Sequence, residues 1–192
     1  MKYFIDPDMF DRATKFADSV ISTNKNRYAN RNQSNLNKIK KDIIIGKLGE
    51  ELAYLHLFDQ FPHITKPDYT IYSASGKSWE PDLKTDILNI AVKSQDVMSG
   101  IYYGVSWIFQ FNNNKNYDCD KEIFKNKSKN QYVVLTSIDL RKEVGEIKAI
   151  VNVNWMHEKN LFKEPEVKIL KGNKLAVYFE DMEKYKDELW QL

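Results

Sequence analysis

The chain has 192 residues and a net charge of +2, and 42% of its residues are hydrophobic. This length and composition predict one globular domain over residues 1–192 and exclude a disordered chain, whereas a nearly neutral charge by itself does not indicate a nucleic-acid partner. No apolar run approaches the roughly 20 residues that span a bilayer, and the N-terminus lacks a signal-peptide pattern, so we expect a cytoplasmic protein without a membrane partner.

The first predicted element is a helix that begins at Pro7 and ends at residues 22–24. Apolar side chains recur at helical spacing between Met9 and Ile21, which predicts a buried stripe. The segment 24–37 that follows is rich in Asn, Arg and Ser. Because Asn side chains compete with the backbone for hydrogen bonds, we expect a loop there.

A basic segment lies between residues 24 and 47, where the single acid is Asp42. Lys and Arg displace condensed counterions from phosphates, so the segment predicts contact with DNA. The alternative is a solvated loop and helix face. The residues that we expect to contact DNA are Lys25, Arg27, Tyr28, Arg31, Lys38 and Lys41.

A second helix is predicted over residues 37–57, where apolar side chains again share one face. Gly46 and Gly49 lie inside this helix, and each costs roughly 1 kcal/mol of helix stability relative to Ala. Because glycine allows close approach of another backbone, both positions predict a strand packed against the helix. Two carboxylates, Glu50 and Glu51, follow directly.

Residues 79–95 predict two short strands joined by a tight turn. Pro81 restricts the residue before it to extended geometry, and residues 84–86 are polar turn material. The second strand alternates between apolar and other side chains, as a half-buried strand does. Asp82, in the first strand, would meet the polar face of the second strand across the hairpin. We therefore expect Asp82 and Lys93 to converge.

This hairpin resembles the PD-(D/E)xK nuclease superfamily, whose members share the restriction-endonuclease-like fold. Pro81-Asp82 matches the PD, and Ala91-Val92-Lys93 occupies the (D/E)xK, with Gln95 following as in many members. The sequence departs from the family pattern at Ala91, where the family has Asp or Glu. We infer that a carboxylate has been lost at this position, by an engineered substitution or by natural decay, and the sequence does not separate the two.

The resemblance implies a site that hydrolyses phosphodiesters with Mg²⁺. Asp82 would supply a carboxylate to the metal, and the main-chain carbonyl of Val92 would supply a further oxygen. An acid at Ala91 would complete the ligand set. Lys93 would orient or activate the attacking water and offset phosphate charge. Gln95 would lie behind these residues or contact the DNA backbone.

The second predicted helix also resembles the family. Gly49-Glu50-Glu51-Leu52-Ala53 is similar to the G-E-x-x-A helix that precedes the PD strand in many members, where the glutamate helps to hold the metal. Glu50 is the better match and Glu51 is the alternative. A second PD dipeptide ends at Asp68, 23 residues before position 91, which is longer than usual for the family. Asp82 is therefore the preferred metal ligand.

The remaining elements complete a mixed sheet. Residues 112–131 are polar and rich in Lys and Asn, so they predict a long loop that could approach DNA. Strands are predicted at 69–72, 101–111, 132–138 and 147–154, a hairpin at 167–170 and 175–179, and a closing helix at 180–192. This order predicts an α/β fold with a mixed central sheet flanked by helices, in agreement with a restriction-endonuclease-like core.

Together these features predict a stand-alone, Mg²⁺-dependent endonuclease of double-stranded DNA, most simply a type II restriction enzyme or a phage-borne equivalent. The resemblance implies a homodimer in which each site cuts one strand. With Ala91 in place, we expect little or no cleavage by the chain as written. The alternatives are a Holliday-junction or repair nuclease, and a catalytically dead member that binds nucleic acid or a protein partner. The three histidines form neither an HNH nor an H-E-x-x-H pattern, and the single Cys119 excludes a cysteine zinc cluster.

Overall fold

A computed structural model describes residues 1–30, 35–72, 81–110, 120, 130–172 and 174–192. Its helices and strands, in chain order, are β1 (Lys2–Phe4), α1 (Pro7–Asn30), α2 (Leu36–Phe58), β2 (Leu83–Lys84), β3 (Asn89–Asp96), α3 (Val97–Tyr103), β4 (Ser106–Gln110), β5 (Gln131–Asp139), β6 (Val144–Asn152), α4 (Val153–Glu158), β7 (Lys174–Tyr178) and α5 (Phe179–Met182). Short 3-10 helices span Lys168–Leu170 and Glu183–Glu188.

The central sheet has five strands in the order β1-β6-β5-β3-β2. Strands β3 and β5 are parallel, and the other neighbours are antiparallel. Strands β4 and β7 form a separate antiparallel pair. The predicted mixed α/β architecture, a mixed sheet flanked by helices, is confirmed at this level.

Hydrophobic side chains pack on both faces of the central sheet. On one face, α1 and α2 cover residues that include Ile90, Val134 and Ile138. On the other face, Trp107 and Phe109 of β4 pack with β7, α4 and the C-terminal segment against the sheet. The sheet therefore lies between a helical layer and a second layer built on β4 and β7. Strand β3 contributes to both.

Helix α2 lies directly on strand β3 because Gly49 has no side chain. A Cβ atom at Gly49 would lie 1.9 Å from Ser94 Oγ and 2.7 Å from Thr136 Oγ1, closer than real contacts allow. The predicted close approach of a strand is therefore confirmed at Gly49. It is wrong at Gly46, where a Cβ would meet nothing within 4 Å.

Helix α1 is longer than the sequence predicted. It continues past residue 24 to Asn30, with non-helical backbone at Asn24 (φ −115°). The hydroxyls of Ser22 and Thr23 donate to the Ser19 carbonyl at 2.8 and 2.9 Å. These hydroxyls bond back to the preceding turn, and helical structure resumes after a kink at Asn24, so the predicted loop is wrong over residues 24–30.

Two predicted strands are replaced by other structure. Residues 69–72 form no strand, because the Asp68 carboxylate accepts from the Thr70 N–H at 2.8 Å and from the Tyr72 hydroxyl at 2.7 Å and folds the segment on itself. The strand predicted at 101–111 begins only at Ser106. Helix α3 precedes it and ends at Tyr103, and the next residue, Gly104, has a φ of 78°, in the region that favours glycine.

The C-terminal part also differs from the prediction. The Asn152 side chain accepts from the Asn154 N–H at 2.9 Å, so it caps helix α4 and ends β6 early. Strand β7 pairs with β4 on one edge and with Lys163 on the other, which leaves no edge for the predicted hairpin partner at 167–170. The predicted closing helix at 180–192 is instead a short α5 followed by a 3-10 helix, and Trp190 beyond them is 44% exposed.

Among the described residues, no helix combines the length and the apolar character that crossing a membrane requires.

Candidate active site at the edge of the central sheet

The predicted hairpin is formed by β2 and β3. Leu83 faces Ile90 and Lys84 faces Asn89 in antiparallel register. Its turn is closed by Thr85, whose backbone N–H donates to the Leu88 carbonyl at 3.0 Å. Strand β2 ends after two residues, whereas β3 continues to Asp96. Within the described ranges, β3 beyond Ile90 pairs with β5 on one side and has no strand on the other.

Asp82 lies at this open edge. Its Oδ2 atom accepts a hydrogen bond from the Val92 N–H at 2.7 Å. In a strand, the N–H and C=O of one residue leave from the same edge. The Val92 carbonyl therefore leaves from the edge that Asp82 occupies, so a carboxylate and a carbonyl oxygen are available side by side.

Lys93 brings a positive charge to the same edge. Its ammonium donates to Asp120 Oδ1 at 2.6 Å and lies 5.3 Å from the centre of the Phe109 ring. The charge of Lys93 also lowers the pKa of Asp82, in opposition to burial. The charge of Lys93 therefore acts on the Asp82 carboxyl, whereas their convergence on one metal pocket stays a prediction.

Helix α2 adds Glu50 and Lys47 to the site. The Lys47 ammonium donates to Glu50 Oε2 at 2.6 Å and to the Asp68 carbonyl at 2.6 Å. It also lies over the rings of Phe16 and Tyr69, at 5.0 and 5.4 Å from their centres. The side chains of Lys47 and Glu50 are only 12% and 13% exposed, so this ion pair is well sheltered from water.

Burial makes both acids of the site costly to ionise. Burial raises the pKa of the Glu50 carboxyl to about 8, and the nearby Asp82 carboxylate adds to the shift, while Lys47 opposes it. Burial also raises the pKa of Asp82, and the Val92 N–H and Lys93 oppose that shift. Adjacent buried carboxyl groups with raised pKa values are typical of functional sites.

The two alternative carboxylates are engaged elsewhere. Glu51 accepts from the Arg12 guanidinium at 2.8 Å and from the Tyr69 hydroxyl at 3.0 Å, so it ties α1 to α2. The Asp68 carboxylate bonds its own loop, and only its backbone carbonyl contacts Lys47. Of the acids weighed from the sequence, Glu50 and Asp82 are the two that lie together.

Position 91 and Gln95 lie on the face of β3 that carries Lys93. Ala91 is half-buried and packs against the core built around Trp107 and Phe109. The Gln95 side chain donates to the Gly104 carbonyl at 3.0 Å and accepts from the Ser106 N–H at 3.0 Å. The Gln95 amide therefore anchors the start of β4 to β3, and its place behind the site residues or against the DNA backbone stays a prediction.

Two of the lysines that the sequence predicts to contact DNA form ion pairs with acidic side chains of the protein. Lys38 pairs with Asp42 at 2.7 Å, and Lys41 pairs with Asp96 at 2.5 Å. The acid that neutralises Lys41 comes from β3, far away in sequence. Tyr28 is half-buried on α1. The side chains of Lys25 and Arg27, and all of Arg31, lie outside the part that the structure describes.

The donor set fits Mg²⁺ in its chemistry and is short by one ligand. Carboxylates and a carbonyl are the oxygen donors that Mg²⁺ prefers, and Glu50, Asp82 and Val92 supply them. As the described residues stand, no group of three or more His, Cys, Asp or Glu side chains is arranged to hold a metal ion.

Two residues of the site were not found from the sequence. Lys47 precedes Glu50 by one helical turn, and this i, i+3 spacing between a lysine and a glutamate could have indicated the pair. Asp120 lies 27 residues after Lys93 in a polar segment, where no local pattern marks it.

Comparison with protein-family models, with curated proteins and with solved structures found no match to this chain. The functional argument therefore depends on the geometry described above and on the resemblance of the hairpin.

Proposed function

We propose that this chain is a Mg²⁺-dependent DNA endonuclease with a restriction-endonuclease-like core, most simply of the type II restriction or phage-borne class. The observation that carries the proposal is the hydrogen bond of 2.7 Å from the Val92 N–H to Asp82, at an open strand edge where Lys93 acts electrostatically on the same carboxylate. The Glu50 carboxyl beside Asp82 supports it.

Each side chain then has a role in cleaving the phosphodiester bond. Asp82, Glu50 and the Val92 carbonyl would hold the cation. When bound, Mg²⁺ supplies Lewis-acid activation of the phosphoryl oxygen and a water of lowered pKa. Lys93 hydrogen-bonds the attacking water and offsets the negative charge that develops on the phosphate. Lys47 limits the repulsion between the two buried acids.

Position 91 decides how well this site works. An acid there would project from the same face as Lys93 and add a charged ligand to the cation. We therefore expect Ala91→Glu to raise Mg²⁺-dependent nicking of supercoiled plasmid by about 1000-fold, because the members of such a site act as a unit. Ala91→Gln is the matched control, since it has the same shape without the charge and should give no gain.

The Lys93→Met substitution made on top of Ala91→Glu removes the ammonium and should abolish the gain. The decisive negative result is an Ala91→Glu chain that folds but nicks no faster than the chain as written at any Mg²⁺ concentration up to about 20 mM. That result would count against the proposed enzyme.

A catalytically dead DNA-binding member of the same fold is the second candidate, and Ala91 is the observation that favours it. In that case Ala91→Glu creates no nicking, while the chain retains duplex binding in a gel-shift assay. Loss of one carboxylate reduces repulsion of phosphate, so binding itself does not require an acid at this position.

The kind of DNA substrate separates the restriction class from a Holliday-junction or repair nuclease. We expect the Ala91→Glu chain to cut linear duplex at defined sites and to form a homodimer in analytical ultracentrifugation, because two sites are needed to cut both strands. Preferential cleavage of a four-way junction over its linear arms would assign the junction class.

A further inference from the structure

We propose that a groove beside helix α3 binds an arginine-rich peptide segment of a protein partner. The groove lies between α3, the turn into β4 and the segment that follows β7. Its volume is about 670 Å³, within the range of about 300–1,000 Å³ that is usual for ligand-binding pockets. None of the residues that line it belongs to the Asp82–Lys93 edge, so the binding does not depend on the proposed nuclease activity.

One wall of the groove is an exposed aromatic pair on α3. Tyr102 and Tyr103 are 73% and 62% exposed, and the centres of their rings lie 6.4 Å apart. Ile101, beside them on the same helix, is 67% exposed. Contiguous exposed side chains of this size mark interaction surfaces, and aromatic residues are enriched at the centre of such surfaces.

The floor of the groove is held in place by the rest of the fold. The Phe179 N–H donates to the Val105 carbonyl at 2.8 Å, and the Tyr178 hydroxyl accepts from the Glu166 N–H at 2.8 Å. Phe179 also packs edge to face on Trp107, with ring centres 6.2 Å apart. A groove that is formed in advance loses little conformational entropy when a ligand binds.

The charged side chains that line the groove are all acidic. Glu166, Glu180 and Glu183 are exposed, and within the described part of the chain none of them forms an ion pair. Glu180 and Glu183 are three residues apart where α5 continues into the 3-10 helix, so they lie on one side of that segment. The groove is therefore negative on a chain whose net charge is +2, and it is complementary to a cationic ligand.

Aromatic rings and carboxylates together favour arginine. A guanidinium stacks on an aromatic face and forms paired hydrogen bonds with a carboxylate. The chain already uses this combination at the floor of the groove, where the Lys148 ammonium lies 5.5 Å from the centre of the Phe179 ring and 2.7 Å from Glu146. No described cation lies over Tyr102 or Tyr103, so these two rings are open to a cation from a partner.

The same charges disfavour the other occupants of the groove. Duplex DNA would bring its phosphates against three carboxylates. A twofold dimer through this surface would place those carboxylates against the same groups of the second copy, because such an interface pairs one patch with itself. An arginine-rich peptide satisfies both the rings and the acids.

The test is fluorescence anisotropy with the full chain and a labelled synthetic peptide in which three arginines alternate with leucines. We expect the double substitution Tyr102→Ala and Tyr103→Ala to weaken peptide binding by about tenfold, because two cation–π contacts are lost. Tyr102→Phe with Tyr103→Phe should retain the affinity, since phenylalanine keeps the ring face. This comparison separates the role of the rings from that of the hydroxyls.

The acidic side of the groove is tested by a second pair of substitutions. Glu180→Gln with Glu183→Gln should weaken peptide binding by about tenfold and reduce its dependence on salt. Glu158→Gln with Asp86→Asn is the matched control, because it removes two exposed charges outside the groove and should leave the affinity unchanged.

The inference is overturned if the peptide binds no tighter than a version with glutamate in place of arginine, or if the alanine pair or the glutamine pair binds the peptide as the chain as written does. It also fails if the alanine pair weakens duplex binding while peptide binding is unchanged, since the groove would then be a nucleic-acid surface. Thermal melting checks the fold. If the alanine pair melts early, the glutamine pair decides the outcome.

Discussion

At the scale of single residues, the site places two carboxyl groups in a sheltered position where burial raises the pKa of both, and the Asp82 carboxylate adds to the rise at Glu50. Such an arrangement costs folding free energy unless a cation or a proton neutralises it. Lys47 neutralises part of the charge on Glu50 through a contact of 2.6 Å. The remaining cost should be visible in how the stability of the chain without metal depends on pH.

We expect the chain without metal to lose stability as the pH rises from 4.5 to about 8, because the pKa of Glu50 rises from 4.5 to about 8 on folding. In that window the folded state binds more protons than the unfolded state, so rising pH favours unfolding. Glu50→Gln should remove this pH-dependent loss, so above pH 8 its free energy of unfolding should exceed that of the chain as written by up to about 5 kcal/mol. Urea unfolding with EDTA present, from pH 4 to 9, measures it.

Glu158→Gln is the control for this experiment, since Glu158 is exposed on α4 and its loss should leave the pH dependence intact. Parallel stability curves for the Glu50→Gln chain and the chain as written would show that Glu50 ionises normally and is not a sheltered acid.

At the scale of elements, the position of Glu50 depends on how closely α2 approaches β3. We expect Gly49→Ala to destabilise the protein by about 1–3 kcal/mol, because the new Cβ would collide with Ser94 Oγ at 1.9 Å and push the helix from the sheet. The same shift would move Glu50 away from Asp82 and weaken Mg²⁺ binding.

Gly46→Ala is the matched change on the same helix. A Cβ there meets nothing within 4 Å, so the substitution should stabilise the helix by about 0.5–1 kcal/mol. Chemical denaturation of both variants measures the two changes in the free energy of unfolding. Equal effects of the two substitutions would contradict the close contact of α2 with β3.

Elements whose side-chain pattern and turn chemistry agree could be predicted from the sequence. Helix α2 begins and ends within one residue of the prediction, and the β2–β3 hairpin has the expected turn. The strand predicted at 101–111 was partly wrong because an apolar, aromatic run suits a helix as well as a strand. The sequence predicted that β7 pairs with residues 167–170, whereas it pairs with β4. That pairing depends on tertiary contacts that no local pattern encodes.

The site was predictable only as far as its residues are close in sequence. The sequence pointed to Asp82 and Lys93 through one hairpin, and to Glu50 through its motif. Lys47 and Asp120 were missed, because each acquires its role through packing: Lys47 through its contact with Glu50, and Asp120 through its contacts with Gln110 and Lys93.

At the scale of the whole molecule, the open edge of β3 lies where the helical layer and the β4–β7 layer meet, and a basic helix face adjoins it. Lys41 on α2 pairs with Asp96, the last residue of β3, and its side chain is 41% exposed. An exposed lysine held by one carboxylate can exchange that partner for a phosphate at little cost. Duplex DNA that reaches the edge of β3 would therefore meet Lys41.

We expect Lys41→Ala to weaken duplex binding and to reduce the slope of log K against log salt by about 1, as loss of one phosphate contact does. Fluorescence anisotropy over a series of KCl concentrations measures the slope. Lys186→Ala is the control, because Lys186 is exposed in the C-terminal 3-10 helix and should not alter it. An identical salt slope for the Lys41 and Lys186 variants would exclude Lys41 from the DNA interface.

The most direct test of a cation seated between Asp82 and Val92 is anomalous X-ray diffraction from a Mn²⁺-soaked crystal of the Ala91→Glu chain. The proposed site predicts an anomalous peak about 2.0–2.3 Å from an Asp82 carboxylate oxygen and from the Val92 carbonyl oxygen, with Lys93 adjacent. An ordered β2–β3 edge without any peak, or a peak bound only by other residues, would contradict it.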